Sequence, residues 1–168
     1  MSIAARIENH LREQQVGYEL LAHKTTGSTH ETASAAHVPQ DHIAKAVMVH
    51  DGSAHAMAVI PGDTWLHLDT LNGDTGRAFR LDDESDLSEL LPDCAPGAVP
   101  PLGPVYDIET FLEQILGPHI EPGLDEALTT LAEVYFESGD HQNLVKVGGE
   151  DFMKLLPGVR RGHYGQRE

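Results

Sequence analysis

The run Ile43, Ala44, Lys45, Ala46, Val47, Met48, Val49 constrains the fold more than any other stretch. Side chains alternate along a strand, so Ala44, Ala46 and Met48 share one face while Lys45, Val47 and Val49 share the other. Apart from the lysine both faces are apolar, which is the pattern of a central strand covered on two sides. The ammonium at its head must then reach water or meet an anion. Two readings follow: Lys45 snorkels from the strand end, or it forms the cationic floor of a pocket. Asp51 and Gly52 come next as a hairpin signal, and residues 55–60 read as the returning partner strand.

Around this centre the chain alternates helix and strand signals. Ser2 caps a helix carrying Ile3, Ile7 and Leu11, which Gly17 stops. A strand is expected over 18–22, a turn over 25–28, and a short Ala-rich helix over 29–37 ahead of Pro39. Residues 65–68 alternate as a half-buried strand that Asn72 and Gly73 break, with a weaker strand over 76–81. An acidic helix is expected over 82–91, and the proline-rich residues 92–104 make a stiff loop. A short strand opens at Val105, and Ile108, Phe111, Leu112 and Ile115 recur at helical spacing over 108–116. Strands over 128–136 and 143–147 flank a turn at 138–141, and a closing helix spans 150–156. These elements describe one domain over residues 1–156 and a polar, basic, loose tail over 157–168.

Charge narrows the function classes. The formal net charge is −16, and between positions 81 and 145 there are fifteen Asp or Glu with no Lys or Arg. Broad, sequence-independent contact with a nucleic-acid backbone needs basic surface and is disfavoured. The locally basic carboxyl end leaves room for a small contact. The single cysteine, Cys94, permits no internal disulfide and no cysteine-held zinc. His30 and His37 could share a helix face, but no His-Glu-x-x-His motif occurs, so no metal or other cofactor is expected. No apolar run approaches a membrane span and the start lacks the order of a signal peptide, which makes a cytoplasmic protein the expectation. The oligomeric state is not legible.

Three segments then take a recognisable order: a lysine heading an early apolar strand, a Gly-x-x-x-Pro loop, and a late Gly-x-His turn. In this the chain resembles the YbaK family, whose members are similar to the editing insertion of bacterial prolyl-tRNA synthetases. His23, Thr29, Ala33, Ala35, Ala36, Val38 and Pro39 match the family's lead-in, and Lys45 its characteristic lysine. Gly97, Ala98, Val99, Pro100 and Pro101 match the loop, continued by Leu102 and Gly103. Leu124, Asp125, Glu126, Ala127 and Leu128 resemble a short acidic signature, and Gly139, Asp140 and His141 the turn. The resemblance implies a single α+β domain with a mixed, strongly curved, barrel-like sheet flanked by helices.

It also implies an activity: hydrolysis of the ester joining a wrong amino acid to the 3′ end of a tRNA, the second sieve that a synthetase needs for small side chains. Alanine on proline tRNA is the first expectation, cysteine or serine the next. The partners are then the acceptor end of a mischarged tRNA and, as a further candidate, an aminoacyl-tRNA synthetase. No Gly-x-Ser-x-Gly elbow surrounds Ser138, which fits a family in which the substrate's own 2′-hydroxyl helps activate water. The resemblance implies catalytic roles for Lys45, Gly97 and His141: Lys45 to hold the terminal phosphate or ester carbonyl, the Gly97 backbone to approach the substrate, His141 to shape or polarise the amino-acid pocket. His23, Thr29, Ala98, Pro101, Gly103 and Gly139 are the implied substrate-binding positions. A second reading is a non-catalytic module that binds aminoacyl-tRNA or a nucleotide-like ligand for regulation.

Overall fold

Strands β2 (Ala44–His50) and β3 (His55–Pro61) pair antiparallel, with Lys45 opposite Ile60 and His50 opposite His55. The Asp51 carboxylate closes the hairpin by accepting from the backbone N–H groups of Ser53 and Ala54 at 3.0 and 2.9 Å. A computed structural model of the chain describes residues 4–24, 28–82, 89–94, 98–120 and 128–167. Among them the other elements are α1 (Ala5–Glu13), β1 (Glu19–Ala22), α2 (Thr29–Ala36), β4 (Thr64–Leu66), α3 (Leu68–Thr75) and β5 (Arg80–Leu81). The second half holds β6 (Glu109–Glu113), β7 (His119–Ile120), β8 (Leu128–Thr129), β9 (Glu133–Glu137), β10 (Asn143–Gly148), α4 (Gly149–Lys154), β11 (Arg160–Gly162) and β12 (Gly165–Arg167). No described helix is long and apolar enough to cross a membrane.

The main sheet runs β11-β6-β3-β2-β5, with β3, β6 and β11 mutually parallel and β2 antiparallel to its neighbours. A second sheet, β1-β10-β9, is antiparallel throughout. Ile43 bridges Tyr135 and joins the two. Two further antiparallel pairs, β4 with β12 and β7 with β8, stand apart from these sheets. The expected α+β domain with a mixed sheet is therefore present, but among the described strands there is no barrel-like closure.

Alternation along β3 explains two cores. Met57 and Val59 face a large cluster with Leu102, Leu112, Val145 and Phe152, while Ala56 and Ile60 face a smaller one with Phe79, Phe111 and Tyr164. Each fully buried large apolar side chain contributes roughly 1.5–3 kcal/mol. Helix α1 lays Ile7 and Leu11, both fully buried, on the larger core.

Several expectations need correction. Residues 108–116 form strand β6 and a 3₁₀ turn over Gln114–Leu116, not a helix. Phe111 and Leu112 enter opposite cores, so a strand buried on two sides satisfies the apolar positions that also fit helical spacing. The strand expected at Val105 is a 3₁₀ turn over Gly103–Tyr106. Asn72 and Gly73 do not break the chain, because α3 runs through them from a His67 cap whose Nδ1 accepts from the Thr70 N–H at 3.2 Å. The tail expected to be loose supplies β11 and β12, and Tyr164 between them is buried in the smaller core. Ser2, most of the 82–91 helix and part of the 92–104 loop lie outside the described residues.

Candidate functional site

A cavity of about 230 Å³ opens where β2 begins. Its floor is apolar, from Ile43, Ala44, Ala46 and Met48; Val99 of the proline-rich loop adds to it. Its polar groups come from three other places: Lys45 at the head of β2, Ser28, Thr29 and Thr32 at the start of α2, and Glu137 and His141 at the end of β9 and the turn beyond. Ser28 starts α2 there because its Oγ accepts from the Glu31 N–H at 3.2 Å.

Glu137 is a perturbed group in the cavity wall. Its side chain is 15% exposed, and its Oε1 stands 3.5 Å from His23 Nε2 and 3.6 Å from His141 Nδ1. Both separations exceed the 2.7–2.9 Å or so of a strong charge-assisted hydrogen bond. Its buried Oε2 has no hydrogen-bond partner among the described residues. Burial pushes the Glu137 carboxyl above its ordinary range, against the pull of His23 and His141. The wholly buried His23 side chain is fixed from behind, since its Nδ1 lies 2.7 Å from the Lys24 carbonyl and must donate to it. The His23 Nε2 then faces Glu137 either as a protonated donor or as the acceptor for a proton held on Glu137.

The turn that carries His141 is built by its neighbours. Asp140 Oδ1 accepts from Ser138 Oγ at 2.7 Å, from the Gln142 N–H at 2.9 Å and from the Asn143 N–H at 3.1 Å. Gly139 adopts φ +106°, and a β-carbon there would stand 2.9 Å from that of Ala4. The Ala4 N–H also donates to the Ser138 carbonyl at 2.9 Å, so the start of α1 braces the turn. His141 itself is left-handed at φ 60°, a conformation that β9 and β10 impose from either side.

Of the positions named from the sequence, Lys45, Thr29 and His141 line one cavity. His23 stands behind Glu137, and Gly139 shapes the turn. Ala98 is fully buried beside Val99, and Pro101 and Gly103 are buried in the loop. A β-carbon on Gly103 would fall 2.0 Å from Thr110 Oγ1, so this glycine serves the packing of the loop on β6. Gly97 lies outside the described residues, as do positions 124–127 of the acidic signature. Sequence reasoning passed over Glu137, Ser28 and Thr32. Glu137 had one available signal: it ends an apolar strand directly ahead of the Ser138, Gly139 turn and sits four residues before His141. No group of three or more His, Cys, Asp or Glu among the described residues is arranged to hold a metal ion.

Residues 23–155 match the model of the aminoacyl-tRNA editing domain. Among solved structures, a hypothetical protein aligns with a TM-score of 0.77 at 21% identity, over 96% of this chain and 99% of its own. A candidate trans-editing enzyme for prolyl tRNA synthetase aligns with a TM-score of 0.75 at 20% identity, over 97% and 96%. A candidate signal transduction protein from Marinobacter aquaeolei aligns with a TM-score of 0.68 at 17% identity, over 95% of this chain but 30% of that longer one. At these identities the structures attest the fold alone. No curated protein matches the sequence.

Proposed function

Because the chain belongs to the aminoacyl-tRNA editing domain family, we propose that it hydrolyses the ester of a mischarged tRNA in the cavity between Lys45 and Glu137. The observation that carries this reading is the presence of an ammonium and a largely buried carboxyl group in the wall of one small cavity with an apolar floor. An aminoacyl ester presents the complementary groups: an electron-rich carbonyl, an α-ammonium and a side chain. Lys45 takes the carbonyl oxygen or the adjoining phosphate, Glu137 takes the α-ammonium, and the side chain lies on Ala44, Ala46 and Met48. A volume of about 230 Å³ suits a small residue, with alanine first and cysteine or serine next.

In the reaction, water oxygen attacks the ester carbonyl carbon and the negative charge gathers on the carbonyl oxygen, where the Lys45 ammonium stabilises it. The bond to the ribose 3′-oxygen then breaks, that oxygen takes up a proton, and free amino acid and tRNA leave. The neighbouring 2′-hydroxyl of the substrate assists the water, while His141 and the Gly97 loop shape the approach and His23 positions Glu137. The acceptor end of tRNA is the partner, met in the cytoplasm, and a synthetase is a further candidate. Single-turnover ester loss on matched substrates ending in ribose or 2′-deoxyribose tests this scheme. The deoxy substrate should bind yet react roughly 10²- to 10⁴-fold more slowly. Equal rates would move water activation onto the protein, with Glu137 and His141 the groups in reach.

A non-catalytic module is the second reading, favoured by the acidic stretch between 81 and 145, which repels a nucleic-acid backbone. Tight binding of mischarged tRNA with no turnover would select it.

A further inference from the structure

Lys45 borders a second depression as well, of about 480 Å³, whose other lining includes Ser28, Thr29, His30, Gln40, Asp63 and Trp65. Ser28, Thr29 and Lys45 belong to both depressions, so the two adjoin. The Lys45 Nζ stands 5.6 Å from the centre of the Trp65 ring. Trp65 is the single tryptophan of the chain and is 62% exposed. Tryptophan is highly buried on average, so a ring left this far in water is unusual.

The ring is exposed because β4 alternates, with Thr64 buried and Trp65 on the outer face. Its strand is also held firmly. β12 pairs with β4, placing Gln166 opposite Trp65. Gly165 packs so closely on Thr64 that a β-carbon would stand 2.7 Å from its Oγ1. The Tyr164 N–H donates to Glu113 Oε1 at 3.0 Å, and the His67 N–H donates to the Tyr164 carbonyl at 2.7 Å. An aromatic side chain carried on a fixed strand loses less entropy on meeting a flat ligand than one on a loose segment. The Gln40 amide is already engaged, its Nε2 donating to the Gly62 carbonyl at 2.8 Å and its Oε1 lying 3.0 Å from His30 Nδ1.

We propose that this depression seats the nucleobase of the terminal nucleotide, with Trp65 as its stacking face, when the aminoacyl group occupies the cavity between Lys45 and Glu137. The proposal rests on the deacylase reading for its ligand and adds the base site, its chemistry and its selectivity. Stacking reads a flat ring and not its edge pattern, so a terminal base other than adenine is accepted nearly as well. Lys45 then sits where base, ribose and ester meet.

Trp65 reports on its own occupancy, because all indole emission of the protein comes from it. The probes are adenosine monophosphate and 3′-alanylamido-3′-deoxyadenosine, an amide analogue that resists hydrolysis. Both should quench the emission saturably, the amide at lower concentration because it fills both depressions. In deacylation, Trp65→Ala should raise KM roughly 10- to 100-fold, with the loss falling on KM and not on the single-turnover rate at saturation, and Trp65→Phe should restore most of it. If wild type deacylates and Trp65→Ala keeps the wild-type KM, the base site is overturned while the deacylase reading stands; the ring then belongs to a protein contact. If wild type cleaves no mischarged tRNA, the deacylase reading falls and the titration alone decides. Quenching by adenosine monophosphate then upholds the base site, and an unchanged spectrum overturns it.

Discussion

Replacing Glu137 by glutamine should make the protein more stable and less active at once. The carboxyl group is largely buried, with two histidine nitrogens at 3.5 and 3.6 Å and a buried second oxygen that has no hydrogen-bond partner among the described residues, so little offsets its desolvation. A glutamine amide has the same shape, carries no charge, and can donate to His23 Nε2, which lacks a proton when His23 is neutral and donating through Nδ1. The expected gain at pH 7 is on the order of 1 kcal/mol, or roughly 2–4 °C in melting temperature for a chain of this size. Its pH dependence has a definite sign. The folded-state pKa lies above the ordinary value of 4.5, so the wild-type contribution is fully present below that pH and is lost as pH rises through the folded value. The advantage of Glu137→Gln should therefore vanish near pH 4 and grow toward neutrality in thermal melts followed by circular dichroism. Activity should move the other way, with kcat/KM falling about 10- to 100-fold as the charge-assisted bond to the α-ammonium is lost. A variant less stable than wild type at every pH and fully active would refute both halves of the reasoning and make Glu137 a structural ion-pair member.

Gly139→Ala should cost about 2 kcal/mol or more, because it forces a β-carbon to φ +106° and against Ala4 at 2.9 Å. The melting temperature should drop, and deacylation should weaken as His141 shifts with the turn; a normal melt would show that the start of α1 does not brace it. Cys94→Ser should leave deacylation within about twofold, since burial pushes the Cys94 thiol up to about 11 and leaves no thiolate at neutral pH. Alkylation rates on the native protein check the same point, and rapid labelling at pH 7 would count against it.

The parts of the fold legible in the sequence are those whose partners are near in the chain. Asp51 and Gly52 announce β2 and β3, and the Ser138 to His141 turn announces β9 and β10, because a short polar turn between apolar alternations has few other meanings. β6 was hidden for the opposite reason. Its buried Glu113 is satisfied by the backbone N–H groups of Tyr164 and Gly165, about fifty positions away, and nothing local reveals that pairing. The same distant contacts turn a polar tail into two strands. Lys45 could be picked out because a charge on a strand apolar on both faces is an anomaly in itself. Glu137 could not, because it is one acid among fifteen in its stretch, and only the arrival of His23 from β1 makes it unusual. Trp65 reads in the sequence as part of a half-buried strand; the alternation of β4 puts it on the outer face, with Thr64 buried.

The central claim is that an aminoacyl ester is cleaved in the cavity that Lys45 heads. The direct measurement is ester loss from a panel of mischarged tRNAs, with alanine, cysteine and serine on proline tRNA included, using purified wild type and Lys45→Ala side by side. The half-exposed head of β2 tolerates the change, so the variant should melt within a few degrees of wild type. Wild type should release at least one small amino acid, alanine first, and leave correctly charged prolyl-tRNA intact, while Lys45→Ala should release it at least about 100-fold more slowly. Wild-type rates in a folded Lys45→Ala variant, or no release of any amino acid by wild type, would contradict the account.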